Sequence, residues 1–151
     1  MTLQECIDEL ERDYNDKCVM LTDANLEQPG PIILWVSKAM QELTGYTLEE
    51  MCGSSPRMLR GPKSDRRVLD RLKSTLKEGE IFEGAIINYR KDKSEFCKAW
   101  RVAPIRNKDG SLTNYIAVHM EIPDLSEYAP IIEQIVAIHR KILQRLEALP
   151  D

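Results

Sequence analysis

Apolar positions along this chain follow two periods. From the start they recur at Leu3, Ile7, Leu10 and Tyr14, with acidic residues between them. Steps of four, three and four place these side chains on one face of a helix. Cys18 to Thr22 and Ile32 to Val36 are short apolar runs that read as strands. The segment between them, Asp23 to Pro31, is loop by its Asp, Asn, Pro and Gly content. Ser37 is placed to cap a helix over Lys38 to Leu43, which Gly45 stops. Thr47 and Glu50 form a capping-box pattern that opens another short helix. Gly53 to Asp65 reads as a structured loop. Val68, Leu69, Leu72 and Leu76 share one side of a helix predicted over Arg66 to Lys77, which Gly79 ends. Three strands follow, over Ile81 to Lys91, Phe96 to Arg106 and Leu112 to Ile122. Asp92-Lys-Ser94 is the first turn. Asn107-Lys-Asp-Gly110 is the second, with Asp-Gly supplying the positive φ a hairpin requires. Pro123 breaks the pattern, and a last helix runs from about Ser126 to Leu149.

This order predicts an α+β fold: one five-stranded antiparallel sheet, short helices over one face, and flanking N- and C-terminal helices. A pocket in such a layout lies between the short helices and the sheet. The chain divides into an N-terminal amphipathic helix over 1–17, a core over 18–122 and a C-terminal helix over 123–151. The last helix carries two apolar rows. One holds Ile131, Ile135, Ile138, Ile142 and Leu149, interrupted by Arg145; the other holds Ile132, Val136, Leu143 and Leu146. A helix apolar on two sides can dock on a sheet and also pair with a partner. A homodimer is therefore expected, since one bare apolar sheet face would expose too much.

Composition narrows the function classes. With 151 residues, 42% hydrophobic and 30% charged, the chain has material for one real core. Its net charge of −4 makes a general nucleic-acid surface unlooked-for, because phosphate neutralisation needs a basic field. The longest apolar run, Ile32 to Val36, is too short to cross a membrane. The first residues lack the basic and apolar regions of an export signal, so a cytoplasmic chain with reduced thiols is expected. Cys6, Cys18, Cys52 and Cys97 are scattered, without CxxC or histidine at ligand spacing, so neither zinc nor a disulfide framework is expected. No nucleophile–base pair, metal cluster or phosphate-cradling glycine loop points to an enzyme.

Motifs sharpen the picture. Leu43-Thr44-Gly45-Tyr46-Thr47-Leu-Glu-Glu50 resembles the stretch that PAS domains carry before their short central helices. Arg57-Met-Leu-Arg-Gly-Pro62, followed by Ser64-Asp65, resembles the extended loop of the light-oxygen-voltage (LOV) subfamily of PAS domains. Asn88-Tyr-Arg-Lys-Asp92 resembles that subfamily's first hairpin. The resemblance covers roughly Val19 to Glu121. It implies a pocket for flavin mononucleotide (FMN) or, less readily, a dinucleotide flavin, in which blue light drives a thiol onto the flavin. The thiol position falls on Pro56. Proline has neither thiol nor backbone N–H, so the usual adduct cannot form there. Cys52 lies a turn earlier; Cys97 should point away from the pocket if Lys98 points in.

The resemblance also nominates the pocket residues, among them Thr22. Arg57 matches a phosphate-binding arginine, Arg60 replaces a loop glutamine, and Lys73 stands where a second phosphate arginine is expected. Cations suit a phosphate through charge-assisted hydrogen bonds; alternatively, all three are solvated surface charges. Asn88 matches the first of two asparagines expected at the ring's polar edge. The second falls on Lys98, and the glutamine expected to flip and signal falls on His119. A lysine is donor-only, so burying it requires an acceptor or an anion, such as a reduced flavin; otherwise it snorkels to solvent. His119 otherwise bonds a neighbouring backbone group. Trp100 and Ala117 add bulk, so the pocket is either partly filled or flanked by an electron donor, a role open equally to Trp100, Tyr115 and Trp35. Two functions follow: a LOV-like sensory module without the thiol adduct, sensing light or redox state through flavin reduction, or a cofactor-free PAS module that acts by association with a partner.

Overall fold

A computed structural model of the chain describes residues 1–149; the last two residues of the predicted C-terminal segment, 150–151, lie outside the described residues. Helix α1 spans Leu3–Asp13 and opens on a capping box, Thr2 with Glu5. Strands β1 (Cys18–Asp23) and β2 (Ile33–Val36) follow. Helix α2 (Lys38–Thr44) starts at Ser37, whose side chain accepts from the Met40 N–H, and stops at Gly45, held at φ 78°. Helix α3 (Leu48–Met51) carries the Thr47–Glu50 capping box. A 3₁₀ turn over Pro56–Leu59 and helix α4 (Arg66–Lys77) lead to strands β3 (Phe82–Tyr89), β4 (Glu95–Arg106) and β5 (Leu112–Ile122). The loop expected over Gly53 to Asp65 thus contains one helical turn, because proline at its first positions presets the φ a helix needs. A second 3₁₀ turn, Leu125–Glu127, precedes helix α5 (Tyr128–Glu147), shorter at both ends than the predicted span.

The sheet order is β2-β1-β5-β4-β3, with every neighbouring pair antiparallel. Its two faces bury separate cores. On the inner face Met20, Ile33, Phe82, Ile86 and Trp100 pack against Met40, Met51 and Leu59 of the short helical segments. On the outer face Leu21, Trp35, Ile116 and Val118 pack against Leu10 of α1 and Ile135, Ile142 and Leu146 of α5. This apolar face, whose exposure is the ground given for a homodimer, is covered by the chain's own terminal helices. Arg145, which interrupts the apolar row, pairs with Glu9 at 2.9 Å and with Asp13, and so ties α5 to α1. Trp35 belongs to this outer face, where its Nε1 donates to Glu11 at 3.0 Å. Trp35, one of the three residues weighed as electron donors, therefore does not border the inner-face pocket.

The loop that leaves the 3₁₀ turn is clamped onto β3. Ser64 donates its hydroxyl to the Ile87 carbonyl at 2.6 Å, and the Lys63 N–H donates to the Tyr89 hydroxyl at 3.0 Å. Gly61 lies flat on the Tyr89 ring: a Cβ there would meet ring carbons at 2.2 and 2.3 Å. Gly61→Ala is therefore expected to lower stability by about 1–3 kcal/mol, the usual cost of overpacking. Thermal denaturation reads this directly. If the clash is the cause, Gly61→Ala costs much less in a Tyr89→Ala background than in wild type; an equal loss in both backgrounds rejects the account.

Candidate functional site

Strand alternation aims the floor of the site. In β4, Lys98, Trp100 and Val102 face inward, while Cys97 and Ala99 face the outer core. Lys98 thus does point in, and Cys97 points away, as alternation predicts. In β5 the inward residues are Tyr115, Ala117 and His119; in β1 they include Met20 and Thr22. With the 3₁₀ turn and α4 as the opposite wall, these strands enclose a cavity of about 520 Å³. That volume lies within the range of small-molecule and cofactor sites. Trp100 does not fill it. The indole stands against Phe82, ring centroids 4.8 Å apart and tilted by 54°.

Eight of the nine nominated residues border this cavity: Thr22, Arg57, Arg60, Lys73, Lys98, Trp100, Ala117 and His119. Asn88 does not. It is buried on the inward side of β3, but its Nδ2 donates to the carbonyl of its own neighbour Ile87 at 3.2 Å. Thr22 borders the cavity while its hydroxyl donates to the Asp23 carbonyl at 2.8 Å. The nominated phosphate cations do different things. Arg57 turns its guanidinium to the carbonyls of Gly30 and Leu26, the latter at 3.2 Å, and so fastens the 23–31 loop. The side chains of Arg60 and Lys73 make no hydrogen bond or ion pair among the described residues. Arg60 is partly buried beside Arg57 and Arg66; burial first, then those two charges, pulls it below the usual arginine range.

Lys98 and His119 border the cavity, and both are buried, at 5% exposure each. The Lys98 ammonium has an aromatic face as its neighbour, 4.9 Å from the Trp100 ring centroid, and no hydrogen-bond acceptor or carboxylate among the described residues. Glu121 stands opposite it in the β4–β5 register, yet that carboxylate is held by Arg90 at 2.9 Å. Burial, followed by the Arg60 charge, lowers the Lys98 amine to about 7. His119 has no hydrogen-bond partner on either ring nitrogen among the described residues. Burial, then Lys98, then His139 keep its basicity well below the ordinary imidazole value. The backbone bond expected for His119 is thus not made. Its register neighbours are Cys18 on β1 and Trp100 on β4.

Cys18 was not among the nominated residues. Alternation from Thr22 through Met20 carries it to the same face, where it packs beside the inner core. Desolvation raises its thiol to about 11, with Lys98 pulling the other way, so it is a neutral thiol at physiological pH. Cys52 donates its thiol to the Leu34 carbonyl at 3.4 Å and does not border the cavity. Pro56, at the adduct position, does border it.

Residues 30–122 match the family model of the PAS fold. The chain belongs to the PAS family, in its LOV subfamily. Phototropin-1A of Oryza sativa subsp. japonica is 32% identical over 99 residues, which is 66% of this chain and 11% of that one. Protein TWIN LOV 1 of Arabidopsis thaliana is 29% identical, over 80% of this chain and 29% of its own length. The chain therefore spans only a small part of the curated relatives it matches. Among solved structures, a light-oxygen-voltage domain studied with a flavin analogue superposes with a TM-score of 0.71 at 27% identity, covering 86% of this chain and 92% of that one. The dark structure of the blue-light photoreceptor Aureochrome1 LOV gives 0.68 at 25% identity, with 93% of each chain covered.

Proposed function

We propose that this LOV domain is a sensory module that binds FMN in the inner-face cavity and signals without a cysteinyl adduct. The observation that carries this reading is the cavity's polarity: free cations at the mouth, and Lys98 and His119 unpartnered at the floor beside a flat indole. The residues fit a planar, phosphate-bearing ring. Arg60 and Lys73 would hold the phosphate. Trp100 offers the ring an aromatic face, and Lys98 and His119 offer hydrogen-bonding partners to its polar edge. When bound, the flavin would supply a blue-light chromophore and a redox couple. Pro56 contributes no thiol, and the neighbouring wall excludes water with Leu69, Leu72 and Leu76 of α4. Response to light or redox state would then be relayed through the strands that carry Lys98 and His119 to the terminal segments, 1–17 and 123–151. A homodimer through those segments, on which Leu3 and Leu125 remain exposed, belongs to the same reading, as do an output partner and a cytoplasmic, non-enzymatic role.

The test is spectroscopic. Purified protein mixed with FMN is expected to quench flavin fluorescence and to give structured absorption near the flavin's blue band. Blue light, with a sacrificial electron donor such as EDTA in the buffer, should then bleach that band by reducing the flavin, without forming the adduct species that absorbs in the near ultraviolet. A protein that leaves FMN fluorescence untouched sinks the reading and favours the cofactor-free association module. The open cavity weighs against that alternative, which needs side chains to close the space.

A further inference from the structure

The cavity concentrates positive charge in a chain that is acidic as a whole. Arg57, Arg60, Arg66, Lys73 and Lys98 border it, against Glu27 and Asp70. Neither carboxylate is available to Lys98, since Glu27 lies 3.7 Å from Lys77 and Asp70 lies 3.2 Å from Arg66. The cations also sit at two ends. Lys73 is exposed and Arg60 partly buried at the mouth, whereas Lys98 lies at the floor. A phosphate answers the mouth alone. At the floor, every group facing Lys98 fails to neutralise it: Arg60 repels it, the Cys18 thiol is protonated, His119 is neutral, and Glu121 is taken by Arg90.

A buried donor-only cation is stabilised best by an anion. We propose that Lys98 makes this cavity prefer the anionic, two-electron-reduced state of its flavin over the oxidised state, so that the domain reads the redox poise around it. The inference rests on the flavin reading above. The oxidised ring is neutral and offers Lys98 only uncharged acceptors. Taking up two electrons and one proton gives the ring a single negative charge; the electrons come from an external donor of the dihydronicotinamide class, or from dithionite in vitro, and the proton from water. Binding the anion also draws a proton from solvent onto Lys98 whenever the empty cavity holds it as the neutral amine.

The experiment measures the bound midpoint potential by dye equilibration, and the affinities for oxidised FMN and for FMN reduced anaerobically with dithionite. Wild type is compared with Lys98→Asn and Lys98→Met at pH 7 and pH 9. Wild type is expected to bind the reduced form at least about tenfold more tightly, since one restored pKa unit is a factor of ten. For a two-electron couple this places the bound midpoint about 30 mV or more above that of free FMN. Both variants should lose the preference. In wild type the reduced-state affinity should weaken from pH 7 to pH 9, and in the variants it should not. A wild-type midpoint at or below that of free FMN overturns the inference, as does a preference that survives in the variants. If a variant fails to fold or to bind, the comparison of wild type with free FMN still decides. Failure of wild type to bind either state rejects the flavin reading itself; binding both states equally rejects only the role of Lys98.

Discussion

Lys98→Met is expected to stabilise the ligand-free protein by about 1–4 kcal/mol at pH 7, the range seen when buried ionic groups give way to well-packed apolar residues. The cause is on the cavity floor. The amine titrates near 10.5 when the chain is unfolded and at about 7 in the fold. The unfolded chain therefore holds the proton over a pH range in which the folded chain has lost it, and stability rises with pH there. The cost of burying the charge is complete below pH 7 and is relieved between about 7 and 10.5, by about 1.4 kcal/mol per pH unit. Wild type should thus gain stability relative to Lys98→Met as the pH is raised from 7 to 10. Urea denaturation across that range checks it. Parallel pH profiles for the two proteins would show that the floor carries no such penalty. A penalty of this kind fits a residue kept for binding, because sites that hold ligands are commonly less stable than the fold could be.

Mild acid is expected to weaken the seat of α5, and His139→Leu to protect it. His139 lies in the middle of the buried stripe Ile135, Ile142 and Leu146, fully enclosed between α5 and the sheet. Among the described residues neither ring nitrogen makes a well-formed hydrogen bond, although the Ile116 backbone lies near enough to favour the protonated ring a little. Beneath it Arg101 reaches Glu83 at 3.2 Å while leaving one guanidinium nitrogen unpaired. Burial first, and then the Arg101 charge, lowers the His139 imidazole to about 3, against 6.5 unfolded. Folding favours the neutral ring, so its contribution is present above 6.5 and is lost as the pH falls from there toward 3. At pH 4.5 the loss from this residue is about 2.7 kcal/mol. Urea melts at pH 7.5, 6 and 4.5 should show a shallower acid decline in His139→Leu than in wild type. Amide exchange should place the difference in α5. Equal acid slopes would refute the role given to His139.

Local rules reach far into this fold. Ser37 with Gly45, and Thr47 with Glu50, mark their helices because a cap needs only neighbouring residues to work. Alternation along β4 turns Lys98 in and Cys97 out for the same reason. What local patterns leave out is the distant partner. Arg57 resembles a phosphate ligand in its motif, but its guanidinium is taken by carbonyls some thirty residues earlier. Asn88 lies on the expected face and is satisfied by its own backbone neighbourhood instead of opening on the cavity. Periodicity marks α5 as apolar on two sides without saying that one side closes this chain's own sheet, nor that His139 sits at the centre of that contact. Cys18 was within reach of alternation, counted two steps back from Thr22.

The two histidines are the only ones in the chain, and they stand on opposite sides of a single sheet. His119 faces the cavity and His139 faces α5, yet His139 is among the charges that lower the basicity of His119. Interaction free energies are reciprocal. A proton that settles on either ring makes the other harder to protonate, although the two rings lie on opposite faces of the sheet. The sheet therefore acts as a thin dielectric between two plates: charge placed on one side is felt on the other without any part having to move.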